Sequence, residues 1–130
     1  MPSVYLCGPI HGQSDEQCNG WRADATRLLQ SSWSIIDPMR RDWRGLELMH
    51  TPEIVHLDKR DIDGADAMLV NATKPGWGTA MEMIYAFERR KLVVAFTDLS
   101  SRSPWVVMHA HFVTPKLVEA CEFLNLGRVG

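Results

Sequence analysis

Apolar and polar positions along this chain alternate between short apolar runs and longer stretches with helical spacing. Ser3–Cys7 is a β-type run stopped by Gly8-Pro9, and the polar residues 10–19 read as the loop that follows it. Trp21, Ala25, Leu28 and Leu29 then share one helical face, with Arg22, Asp24 and Arg27 on the other. Ser34–Ile36 is a second short strand, ended by Asp37-Pro38. Residues 39–50 are rich in Arg and Trp and have no clear period, and a loop that long in a small domain is more often functional than idle. Thr51-Pro52 opens a second helix, with Thr51 as cap and proline at the first helical position. Its spacing turns Ile54, Leu57, Asp58, Asp61, Ile62 and Ala65 inward. Ala67–Asn71 and Leu92–Phe96 are further strands, joined by a Gly-rich turn and a helix reading K-P-G-W-G-T-A-M-E-M-I-Y-A-F-E-R-R. Residues 97–103 form a polar loop, 104–110 a short helix, and Phe112-Val113 the stub of a fifth strand. Thr114-Pro115 opens a last helix that buries Leu117, Val118, Cys121 and Leu124 and ends at Gly127.

This rhythm predicts an α/β doubly wound fold with a central parallel sheet, one domain over residues 1–130. Ligands of such folds bind beyond the carboxyl ends of the strands, at the switch in strand order. The loops there start at Gly8, Asp37, Asn71 and Thr97, so the Gly8 and Gly76 turns should face each other across one crevice. Asp58 would reach that crevice from the side.

Composition narrows the classes. The chain has 130 residues, 45% hydrophobic and 23% charged, the balance of an ordinary globular domain. No apolar stretch approaches the ~18 residues of a membrane span, and the first residues lack the basic and apolar regions of a signal peptide. A net charge of −2 leaves no electrostatic footprint for a nucleic-acid polymer. Three widely spaced cysteines without a C-x-x-C pattern suit a reducing compartment, where they pack as small apolar residues. A cytoplasmic protein is expected.

The candidate chemistry is acidic. Thr79 followed by Glu82 has the spacing of a capping box, so Glu82 reads either as a capping carboxylate or as an ionised acid at the mouth of the crevice. Asp58 and Asp61 read either as inward-facing acids, costly to bury unpaired, or as residues at the solvent edge of a slightly rotated helix. His109-x-His111 has no third ligand in register, so no metal is expected, and no cofactor motif is present. There is no nucleophile elbow, P-loop or dinucleotide fingerprint, although Gly78-Thr79 beside a helix start suits a phosphate. Two carboxylates beside the Tyr5 phenol point to glycosidic chemistry. The helix start makes Glu82 the better anion, and apolar Ile54 and Ile62 make Asp58 the better proton carrier.

Four motifs then occur in order: Y-L-C-G-P-I at residues 5–10, the Asp58 to Ala65-Asp66 spacing, G-T-A-M-E at 78–82, and S-P-W at 103–105. Together they resemble the nucleoside 2-deoxyribosyltransferase family, including related nucleoside 5′-monophosphate N-glycosidases, over most of the chain. The resemblance implies a flavodoxin-like or Rossmann-like three-layer sandwich with a five-stranded, mainly parallel sheet. It implies a homo-oligomer, dimer or higher, with active sites completed by a neighbouring subunit. The small-molecule partners would be a nucleoside or nucleotide and a free nucleobase, in nucleotide metabolism and base salvage. By motif Glu82 would be the nucleophile forming a covalent deoxyribosyl intermediate, Asp58 the acidic partner, and Tyr5 the group orienting the nucleophile. Gly8, Pro9, Ile10, Gly76, Gly78, Ser103 and His109 would bind substrate, with the residues around Ser103–His109 near a subunit interface. Gly76 stands where transferases of free nucleosides carry an acid. In the nucleotide hydrolases small residues surround a phosphate, a part for Gly8, Gly12 and Ser103, with charge from Arg22 or from Arg40–Arg44 and Trp43 stacking on a base. A separate likeness links P-G-W-G-T-A-M-E to the signature of the cytokinin-activating phosphoribohydrolases.

The leading expectation is an enzyme that breaks the N-glycosidic bond of a 2′-deoxynucleoside and transfers the sugar to another nucleobase. The alternative is hydrolysis of a nucleoside 5′-monophosphate with the same residues. A non-catalytic nucleotide-binding module is the reading from a different class.

Overall fold

The computed structural model describes residues 1–98 and 102–127, so part of the polar loop expected at 97–103, and residues 128–130, lie outside the described residues. Strands β1 (Ser3–Cys7), β2 (Ser34–Ile36), β3 (Ala67–Asn71), β4 (Leu92–Phe96) and β5 (Phe112–Thr114) form one sheet in the order β2-β1-β3-β4-β5. Every neighbouring pair is parallel. The helices are α1 (Asp15–Leu29), α2 (Thr51–Asp63), α3 (Trp77–Glu88), α4 (Pro104–Met108) and α5 (Leu117–Leu126). The sheet is the expected α/β architecture, and its strand order makes it flavodoxin-like.

Strand alternation divides the core into two. Val4 and Leu6 of β1, with Ala67, Leu69, Val94 and Phe96, pack beneath Ala25 and Leu29 of α1 and Ala120, Cys121 and Leu124 of α5. Tyr5 and Cys7 point the other way, joining Met68, Val70, Val93 and Ala95 beneath Ile62 of α2 and Met83 and Ala86 of α3. A tyrosine hydroxyl therefore enters an otherwise apolar layer next to α2 and α3. Its polar tip needs a partner there.

Helix starts differ from the sequence reading in four places, at α1, α2, α3 and α5. Helix α1 begins at Asp15, inside the stretch read as loop, because Ser14 and Gln17 form a reciprocal capping box. Capping residues are polar, so they read as loop when only periodicity is scored. Helix α2 is capped at His50, and the Thr51 hydroxyl donates back to the Glu47 carbonyl at 3.0 Å. Helix α5 begins at Leu117, while Thr114 ends β5 and its hydroxyl donates to the Glu119 carboxylate. Val118 is turned outward, and Ala120 takes the inward position. Residues 39–50 are not featureless: 3₁₀ turns cover Pro38–Arg40 and Glu47–Met49.

Arg22 overturns its expected place on the polar face of α1, since it is 1% exposed. Its Nη1 donates to the Cys18 carbonyl at 2.7 Å and its Nη2 to the Gly8 carbonyl at 3.0 Å, with the Leu6 carbonyl 3.4 Å away. Those acceptors offset the cost of burying the charge and fasten the end of β1 to α1. Committed in this way, Arg22 is not available to bind a phosphate in the cleft. Gly8 completes the turn, because a Cβ there would sit 2.7 Å from Cζ2 of Trp21. All three cysteines are free and buried, and among the described residues no helix is long and apolar enough to cross a membrane.

Candidate active site

The chain runs outward from β1 to β2 and returns on the other side to β3, so the loops after β1 and β3 separate at the switch in strand order. A cleft of about 460 Å³ opens there. Gly8, Pro9 and Ile10 form one wall, Gly76, Trp77, Gly78 and Thr79 a second, and Pro38, Arg41, Trp43, Arg44 and Glu47 a third. Asp58 and Glu82 line it as well.

Glu82 does not cap its helix. Gly76 is the N-cap of α3, which places Glu82 beyond the first turn, and the capping box expected between Thr79 and Glu82 is absent. Thr79, Met83 and Ala86 bury one face of α3 against the sheet, and Glu82 sits at the edge of that face. The Tyr5 phenol, 0% exposed, donates to Glu82 Oε1 at 3.1 Å. On its other side Glu82 faces the Asp58 carboxyl of α2, one turn before the buried Ile62, closely enough that each shifts the other's titration. Three elements far apart in sequence thus meet at one pair of carboxyls.

Burial, then the charge of Asp58 and their shared hydrogen bond, push the Glu82 carboxyl up to about 8, with the Tyr5 hydroxyl pulling the other way. Asp58 is also raised, chiefly by burial, but the Glu82 hydrogen bond and the Arg41 cation oppose the rise. A carboxyl raised that far keeps its proton near neutral pH, while the Arg41 cation favours the anion at Asp58. The sequence reading assigned these states the other way round. The helix dipole falls off within the first turn, and burial governs beyond it. Burial together with Glu82 and Asp58 raises the Tyr5 phenol, which stays a donor.

Tyr5→Phe is expected to push the Glu82 midpoint higher still, because it removes a hydrogen bond that favours the carboxylate. The midpoint can be followed by NMR of the Glu82 side-chain carboxyl carbon through a pH titration. A midpoint that stays put in Tyr5→Phe would argue against this role.

The third wall is laced with charge. Arg40 makes a double contact to Asp61 at 2.8 and 2.9 Å. Arg41 reaches Asp61 at 2.5 Å and Asp58 at 3.7 Å. Burial pushes Asp61 up, but the two guanidiniums outweigh it and hold its carboxyl below the usual range. Arg44 reaches the Gln13 carbonyl and the Asp15 carboxylate, and His11 lies 2.7 Å from Glu47, so residues 38–50 are tied to the loop after β1. Trp43 lines the cleft and packs against the His50 ring.

Of the residues proposed from sequence, Gly8, Pro9, Ile10, Gly76, Gly78, Asp58 and Glu82 line this cleft, and Tyr5 stands directly behind Glu82. Ser103 and His109 lie outside it, at the two ends of α4. The Ser103 hydroxyl accepts from the Trp105 amide, and His109 stacks on Trp105. The His111 Nδ1 accepts from the Val93 amide, and both His109 and His111 pack against the Phe87 ring. Arg41 was visible in sequence only as one of several arginines in an irregular segment. Thr79 is 8% exposed with a hydroxyl that has no partner, although sequence spacing cast it as a helix cap.

No family model matches the chain, and no curated protein matches it in sequence. Solved structures match its fold. A 2-deoxyribosyltransferase from the psychrotolerant bacterium Bacillus psychrosaccharolyticus aligns over 95% of this chain and 95% of its own, with a TM-score of 0.72 and 17% identity. The CMP N-glycosidase BcmB of Clostridium botulinum aligns over 95% of this chain and 98% of its own, with a TM-score of 0.64 and 14% identity. A conserved protein from Enterococcus faecalis V583 aligns over 95% and 87%, with a TM-score of 0.61 and 16% identity.

Proposed function

We propose that this chain is an enzyme that cleaves the N-glycosidic bond of a 2′-deoxynucleoside through a covalent intermediate on Glu82 and transfers the sugar to another nucleobase. The observation that carries this reading is the Tyr5 hydroxyl bonded to Glu82, with the coupled Asp58 carboxyl beside it, opening into the cleft at the β1/β3 switch. The fold shared with a 2-deoxyribosyltransferase and a CMP N-glycosidase supports it.

A pair of carboxyls holding one proton matches the reaction's needs. In the occupied cleft the proton passes from Glu82 to Asp58. Glu82 then attacks the anomeric carbon as the bond to the base breaks, and Asp58 delivers the same proton to the departing base nitrogen. The acceptor base attacks the anomeric carbon in turn, displacing Glu82, and Asp58 takes up the proton that the acceptor loses. Tyr5 donates to Glu82 throughout, favouring its ionised form in the step that requires it.

One observation favours a second reading, hydrolysis of a nucleoside 5′-monophosphate. The first turn of α3 turns Trp77, Gly78 and Thr79 toward the cleft, and the buried Thr79 hydroxyl there lacks a partner. Free amides at a helix start together with a hydroxyl suit a phosphate, and Gly76 leaves no acid to repel it. The protein should be incubated with deoxynucleosides or deoxynucleotides, with and without a second base, and the products separated chromatographically. A new nucleoside establishes transfer, free base with free sugar or sugar phosphate establishes hydrolysis, and no turnover on any substrate overturns both.

We also propose a homo-oligomer whose subunits border each other's sites. Trp77 and Met81 on α3 and Trp105 and Met108 on α4 are each more than half exposed, and Trp77 lines the cleft. A neighbour covering α4 would take in Ser103 and His109. Sedimentation as a monomer at assay concentration would rule this arrangement out.

A further inference from the structure

We propose that Arg41 is a positioning residue that decides which carboxyl of the Asp58–Glu82 pair holds the single proton, keeping the nucleophile masked while the cleft is empty. This deepens the proposed function and rests on it for its catalytic consequence.

The geometry is asymmetric. Arg41 projects from the end of the Pro38–Arg40 turn into the cleft wall, with Nη2 3.7 Å from Asp58 Oδ1 and 2.5 Å from Asp61 Oδ2. It stands on the Asp58 side of the pair, whereas Glu82 at the other end meets the neutral Tyr5 hydroxyl and the Cys7 thiol. A cation on one side of two coupled carboxyls stabilises the anion nearer to it, so the proton is driven to the farther group. Charged and titratable groups surround the pair on several elements, with His11, Arg44 and Glu47 lining the same cleft. Strand β1 contributes Tyr5 and Cys7, both held protonated by burial, and the turn after β2 contributes Arg40 and Arg41. Helix α2 contributes Asp61, which both arginines bind and whose negative charge opposes theirs at Asp58.

Arg41 also carries a means of release. Its Nε is buried in the cleft wall and has no hydrogen-bond partner. Such a donor costs free energy until an acceptor arrives. A sugar hydroxyl or phosphate oxygen of the substrate supplies one, drawing the guanidinium away from Asp58. The proton then moves from the Glu82 carboxyl to the Asp58 carboxylate, and Glu82 becomes the anion that attacks.

The direct test needs no turnover. The side-chain carboxyl carbons of Asp58 and Glu82 are followed by NMR through a pH titration in the wild type, Arg41→Met, Arg41→Gln and Arg41→Lys. In the wild type Asp58 should titrate well below Glu82. Both charge-removing variants should raise the Asp58 midpoint by about one pH unit or more and bring the two midpoints together. Arg41→Lys should keep the wild-type order, and Arg40→Met, which removes a cation held by Asp61 and the Asp37 carbonyl but not by Asp58, should move Asp58 less. An Asp58 midpoint that stays put in Arg41→Met and Arg41→Gln, or that moves equally in Arg41→Lys, overturns the assignment. If turnover is found, its pH profile should move upward as a whole in Arg41→Met and return in Arg41→Lys. A titration that behaves as expected in a protein without turnover would sink the proposed reaction and leave the proton placement standing.

Discussion

Glu82→Gln is expected to abolish turnover, by on the order of 10⁴-fold or more, while making the protein more stable at neutral and alkaline pH. The amide cannot attack an anomeric carbon, so the covalent route closes. It can still accept from the Tyr5 hydroxyl and donate to Asp58, so both contacts stay intact. The stability gain follows from linkage. Folding raises the Glu82 carboxyl from 4.5 to about 8, so the folded state binds this proton more tightly than the unfolded one. That contribution is fully present below the unfolded value and is lost as pH rises through the folded one. Glutamine never ionises, so the variant escapes the loss. It should match the wild type at acid pH and exceed it by a growing margin as pH rises from 4.5 toward 8. Urea melts across pH 4 to 9 measure the difference directly. A variant that keeps its activity removes Glu82 as the nucleophile, and parallel pH–stability curves would mean that Glu82 is not held protonated.

Asp58→Asn is expected to cut turnover by about 10²–10⁴-fold, the range of a general acid in position. The loss should depend on the leaving group. A natural base needs a proton as it departs, whereas a deoxyribosyl derivative with an activated aryl leaving group does not. The variant should thus process the activated compound far better than a nucleoside, relative to wild type. The Glu82 midpoint should also fall, because the negative charge that helps to raise it is gone. An equal loss on both substrates would make Asp58 a structural partner of Arg41 rather than a proton carrier.

Much of this architecture was legible in the chain. Short apolar runs with alternating faces gave the five strands within a residue or so, because a strand buried on both sides must be apolar at nearly every position. The inward face of α2, including Asp58 and Asp61, followed from three-and-four spacing alone. Tyr5, Glu82 and Asp58 were legible as candidates because their residue types are unusual beside a Gly-rich turn or on an apolar face. Capping failed where it competed with periodicity: the Ser14–Gln17 box was read as loop, and a Thr79–Glu82 box was read where none forms.

The sequence by itself determined which side chains can reach the cleft, since strand and helix periods decide the face on which each residue stands. Only the tertiary structure decided what those side chains carry. Arg22 reads as a surface cation until the carbonyls of Leu6, Gly8 and Cys18 are seen to enclose it. Glu82 reads as an anion at a helix start until burial and the neighbouring Asp58 are seen to load it with a proton. Arg41 reads as one arginine among several until it is found against Asp58. Charge state depends on burial and on distances of a few ångströms between residues remote in sequence, and no local pattern encodes either.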